Sequence, residues 1–266
     1  MAQLFEKVFS KTGAFEVLFF NIKSVLVYPN LDELQKGDPI LFERWKSISK
    51  TKYNVDFESI ETVPLLLWNT YENNAPYYPE YSRIVAITYG NLSGDENGGE
   101  IKRFIRKLVG DEETVVVNDF INILQELSKE GVQSTPQYFP AFCGFDILGH
   151  DIPLLIKRFL LHKEKLDVKQ LPLIVRKALD AKPWESSVVD IQHVWKFNGY
   201  DKTSLVLIAD FLNLKKTTDL MTASELSKYY WENIKINQPK TLEFMALQSA
   251  TQTNLTMQLM TLMKML

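Results

Sequence analysis

One cysteine, Cys143, in 266 residues excludes an internal disulfide and fits a reducing compartment. A lone thiol cannot build a cysteine zinc site, and His150, His162 and His193 show no metal-ligand spacing. Long hydrophobic runs are missing too. Stretches such as Val17–Phe20 and Val63–Trp68 fall far short of the ~20 residues that cross a bilayer. The opening MAQLFEKVFSKTG has no continuous apolar run and no small-residue cleavage site, so no secretion signal is expected. Its Leu4, Phe5, Val8, Phe9 spacing predicts a short amphipathic packing helix instead. Positive charge is in deficit: the net charge is −3, which argues against strong non-specific binding to a phosphate backbone. Repeats, low-complexity tracts and dividing linkers are absent, and Gly94, Gly98 and Gly99 read as a hairpin turn, not a phosphate loop.

What is present is an ordinary globular composition, 45% hydrophobic and 24% charged, in a chain long enough for a substantial core. Apolar and β-branched runs predict strands at Phe15–Asn21, Arg83–Tyr89 and Pro140–Cys143, with Glu100–Val109 as a hairpin partner of the second. Helical spacing covers much of Asp32–Tyr53, then Asp111–Lys129, Ile152–Leu161, Thr203–Leu214, Ala223–Asn233 and Thr241–Met265. Asp201 and Thr222 stand near plausible N-caps, and Asn73–Pro79 reads as a loop. The expectation is a single α/β domain over residues 1–266: a mixed sheet flanked by helices, with a helical C-terminal third.

Read together, several segments resemble one family. The first is FFNIKSVLVYPNLDEL, beginning at Phe19. The second is Cys143-Gly144-Phe145-Asp146-Ile147-Leu148-Gly149-His150-Asp151-Ile152-Pro153. Next come Pro183–Leu214, the helix TASELSKYYWEN, and Met245 to Ser249. In this order they are similar to the DnaQ-like, DEDD-type 3′–5′ exonucleases, in particular those related to the proofreading domain of family B DNA polymerases. The resemblance implies a ribonuclease H-like sheet and a site in which four acids hold two divalent ions about 4 Å apart. Here the first acid position is Asn21, the second is Lys23 and the last is Ser249, with Met245 where a Tyr is expected. Asp151 alone stands at an acid position; Asp146 occupies one usually held by Asn, and Asp190 one read as structural. Hard divalent ions need several carboxylate oxygens, so a vestigial exonuclease site without catalysis, metal or cofactor is expected. The phrase Ile60-Glu61-Thr62-Val63-Pro64 mimics the missing opening motif, but its spacing suits a helix better.

Two functions follow from that resemblance. One is a structural or assembly role in a nucleic-acid-handling complex or phage particle, in an intracellular setting with no membrane. The other is a pseudo-exonuclease that holds single-stranded nucleic acid, with Lys23 replacing a metal's charge; an active enzyme with rearranged ligands is a distant third. For the second, Lys157–Lys182 carries eight Lys or Arg against three Asp or Glu, and Lys157, Arg158, Lys163 and Lys165 are the candidate contacts beside Lys23. Finally, five of seven methionines lie between Met245 and Leu266. The last turns are apolar on more than one face, which either a neighbouring helix such as Ala223–Asn233 or a second subunit must cover. On the second alternative, self-association or a protein partner uses this Met-rich helix, and truncation after Thr253 leaves a folded domain.

Overall fold

The computed structural model describes residues 17–55, 63–94, 100–134, 141–180, 188–196 and 203–264. The N-terminal apolar spacing, the Ile60–Thr62 part of the mimicking phrase, Gly98, Gly99 and Asp201 lie outside them.

Strand β1 (Val17–Leu26) is buried at every position except Lys23. A strand apolar on both faces must be covered on both, and β1 lies at the middle of a five-stranded sheet. It pairs antiparallel with β2 (Ser82–Ser93), which pairs antiparallel with the outer strand β3 (Lys102–Val109). On its other side β1 runs parallel to β4 (Ala141–Gly144), and β4 parallel to β5 (Val188–Asp190). The order is β3-β2-β1-β4-β5, with β2 alone running against the rest.

Helices α1 (Leu31–Gly37), α2 (Pro39–Tyr53) and α3 (Val63–Asn74) follow β1, and α4 (Glu113–Ser134) follows β3. After β4 come α5 (Ile152–His162) and α6 (Leu173–Asp180), and after β5 the short α7 (Ile191–Trp195). The C-terminal region is helical: α8 (Leu205–Phe211), α9 (Ala223–Asn233) and α10 (Gln238–Lys264). The segment Asn73–Pro79, expected as a loop, is partly helical, because α3 runs to Asn74 and a 3₁₀ turn covers Ala75–Tyr77. Thr222 does cap α9, in a capping box with Glu225.

Alternation along β1 divides the core. Leu18, Phe20 and Ile22 pack with Phe120 and Phe142 under α4, α5 and α6. Val17 and Phe19 face the other way, toward Leu92, Cys143, Ile208 and the residues of α10. A third cluster, built on Trp45, Tyr71 and Tyr81, joins α1–α3 to the end of β1 and the start of β2. A fourth sets Leu226 and Tyr230 of α9 against Val25, Val85 and Met245.

Helix α10 crosses β1, β2 and β3 and is flanked by α7, α8 and α9. Leu255, Met257, Leu259, Met260 and Met263 are all buried in one cluster within this chain, while Leu262 is exposed. Of the two alternatives for covering these apolar faces, it is the sheet and neighbouring helices of this chain that bury Leu255, Met257, Leu259, Met260 and Met263. Among the described residues no helix is long and apolar enough to cross a membrane.

Candidate functional site

Asn21 and Lys23 lie two residues apart on β1, so their side chains share the face that α10 covers. Both line the same pocket, and the register of β1 on β2 shifts just beyond them, between Lys23 and Ser24. Asp151 arrives from the opposite side. A π-helical turn at Ile147–Asp151 leads into α5, entered through Asp146 in the left-handed conformation, φ 58°. Asp190 holds that turn: its Oδ1 accepts from the Asp146 N–H at 3.1 Å and its Oδ2 from the Leu148 N–H at 3.1 Å. It also caps α7 through the Gln192 N–H at 3.0 Å. Burial raises the Asp190 carboxyl above the usual range despite those bonds.

The Asn21 amide donates to Asp151 Oδ2 at 3.2 Å, and both side chains are buried, at 4% and 1% exposure. Ser249 Oγ lies 3.0 Å from the Asn21 carbonyl oxygen and 3.3 Å from its Oδ1. Thr88 of β2 joins Ser249 at 2.8 Å and Thr253 at 2.6 Å, closing a buried hydroxyl cluster under α10. Asp151 Oδ1 meets His150 Nδ1 at 2.8 Å. Burial works to lower the His150 pKa, but the hydrogen bond and charge of Asp151 outweigh it and hold the imidazole above its ordinary value. Lys23 Nζ donates to Gln252 Oε1. Desolvation brings the Lys23 ammonium down to about 8, with the Asp151 charge partly opposing it.

Asn21, Lys23, His150, Asp151 and Gln252 line a pocket of about 330 Å³ with Asp146, Tyr77, Gln192, Ser204 and Thr222, while Ser249, Thr88 and Thr253 do not line it. Met245 does not line it either: it is buried one turn before Ser249, packed with Val25, Val85 and Tyr230. The donor set does not fit two divalent ions. The pocket offers two carboxylates, Asp146 and Asp151, and Asp151 is already held by Asn21 and His150. Among the described residues no group of three or more His, Cys, Asp or Glu could hold a metal ion.

Of the basic candidates, Lys163 and Lys165 are exposed, and Lys157 pairs with Glu80 at 2.7 Å. Arg158 is a correction. It is buried, its Nε 2.7 Å from Glu113 Oε1 and its Nη2 on Glu113 Oε2, which His162 Nε2 also meets at 2.7 Å. A guanidinium neutralised inside the fold is unavailable to a phosphate. Sequence reasoning misses Gln252, Thr253 and Thr88. Gln252 and Thr253 stand three and four residues beyond Ser249, the spacing that shares a helix face, so a signal for these two exists.

No protein-family model, no curated protein and no solved structure matches this chain.

Proposed function

We propose that the chain is a catalytically inactive 3′–5′ exonuclease-like protein whose role is structural or one of assembly. One observation carries this reading. Asn21 and Lys23 of β1 and Asp151 before α5 line one pocket, and the buried Ser249 of α10 hydrogen-bonds to Asn21, although Asn21 and Ser249 are 228 positions apart. That is where the resemblance places its four metal ligands, and the order β3-β2-β1-β4-β5 is compatible with a ribonuclease H-like sheet. An amide, an ammonium and a hydroxyl replace three carboxylates, and their hydrogen bonds are made to one another and to neighbouring side chains. A pocket whose cation Lys23 is set beside Asp151 and Asp146 offers little net attraction for a phosphate, which favours the structural role over strand binding in this pocket.

The test is incubation of the purified chain with single-stranded DNA and RNA in Mg²⁺ or Mn²⁺. No nucleotide release is expected. Metal-dependent release that disappears in Asp151→Ala would overturn the reading.

A further inference from the structure

The molecule's cations are not evenly spread. Strand β3 reads Lys102-Arg103-Phe104-Ile105-Arg106-Lys107-Leu108-Val109, and it is the outer strand of the sheet. Lys102, Arg103, Arg106 and Lys107 are all exposed, in a chain whose net charge is −3. No ion pair joins any of the four to another described residue.

The register sorts these side chains. Lys102, Phe104 and Arg106 stand opposite Ser93, Asn91 and Tyr89 of β2, so all six share the face on which α4 packs. Helix α4 reaches Tyr89, whose ring lies 6.0 Å from that of Phe120. Past Tyr89 the hairpin continues uncovered: Asn91, Ser93, Lys102 and Phe104 are exposed, Phe104 at 52%. Arg103 and Lys107 project from the opposite face, so cations flank the edge on both sides. Gly90 permits this arrangement, because a Cβ there would lie 1.9 Å from the Phe104 carbonyl oxygen.

Charged side chains on an outer strand also guard it against pairing with other strands. That purpose does not call for a half-exposed aromatic ring between the cations, with an amide directly across from it. We propose that β3, together with Asn91 and Ser93 of β2, is a binding surface for single-stranded nucleic acid. The cations meet the phosphates, an unpaired base stacks on Phe104, and Asn91 lies beside that base. A free aromatic face takes bases of any sequence, while a duplex keeps its bases stacked on one another. The surface is separate from the Lys23 pocket and does not rest on the reading of that pocket.

The experiment is fluorescence anisotropy of a labelled oligothymidylate titrated with the full chain, beginning at about 50 mM salt. Binding is expected, with log affinity falling linearly against log salt. Arg103→Glu with Arg106→Glu should weaken it and flatten that slope by about 0.7 for each phosphate no longer neutralised. Phe104→Ala should weaken it roughly 5- to 160-fold and leave the slope unchanged. Lys36→Glu, a charge change on α1 far along the chain, should have no effect. Lys102→Gln with Lys107→Gln carries the same reading should the charge reversal disturb the edge, and the melting temperature of each variant verifies its fold. The proposal is overturned by absence of binding at low salt, by equal affinity for a duplex, or by indifference to the β3 variants. Displacement by polyglutamate with Phe104→Ala silent would make the edge a surface for acidic protein, and would overturn it equally.

Discussion

Asn21 and Asp151, 130 residues apart, are joined by a hydrogen bond of 3.2 Å in the wall of the pocket. An amide donor thus meets the one carboxylate that stands at an acid position of the resembled site. If these positions descend from metal ligands, restoring the acids should restore an ion site. Asn21→Asp, Lys23→Glu and Ser249→Asp together should destabilise the metal-free chain by like-charge repulsion and desolvation. Added Mn²⁺ should then raise the melting temperature, because an ion bound to the folded state alone stabilises it. A triple variant that melts identically with and without the ion would sink the correspondence.

Lys23 gives a pH signature. The folded chain releases the Lys23 proton near pH 8, whereas the unfolded chain holds it to about 10.5. Between those values the unfolded state binds more protons, so stability rises with pH across that window and the cost of burying the charge is full below it. Denaturant midpoints of wild type and Lys23→Met, compared from pH 7 to 10, should show the wild type gaining on the variant. A constant gap would mean that the ammonium is not desolvated. Lys23 and Asp151 are not clasped to each other: Lys23 bonds to Gln252, and Asp151 to Asn21 and His150.

Glu113 answers the Arg158 guanidinium, the His162 imidazole and the backbone N–H of Ile84, the last at 2.7 Å. Glu113→Ala leaves the buried Arg158 uncompensated, which should cost about 3–5 kcal/mol in unfolding free energy. Adding Arg158→Met should recover part of that loss. Simple additivity of the two changes would show that the pair is not coupled.

Truncation after Thr253 should abolish cooperative unfolding, contrary to what the methionine pattern suggests. It removes Leu255, Met257, Leu259, Met260 and Met263, all buried. At ~1.5–3 kcal/mol for each side chain, the loss is of the order of a domain's whole stability. A truncated chain with an unchanged thermal transition, followed by circular dichroism, would contradict this.

The elements most legible in the sequence are those with sustained periodicity. The span of α9 and the hairpin of β2 with β3 follow directly from apolar spacing and turn residues. The three-residue β5 and the eight-residue α6 are not legible as separate elements, because so few residues give no period to count. Arg158 lies in a basic run whose local pattern says nothing of Glu113, 45 residues earlier. The methionines of α10 suggest a partner because a helix apolar on several faces reads alike whether a subunit or its own neighbouring helices cover it. Only the tertiary packing distinguishes the two.

The position of α10 also bears on biosynthesis. Strand β1, near the start of the chain, is the sheet's middle, and the face bearing Val17, Phe19 and Asn21 is closed by the last helix described. While the ribosome is still adding that helix, an apolar sheet surface already made stays open to solvent and to other nascent chains. The core on that face is accordingly complete only once α10 has been translated.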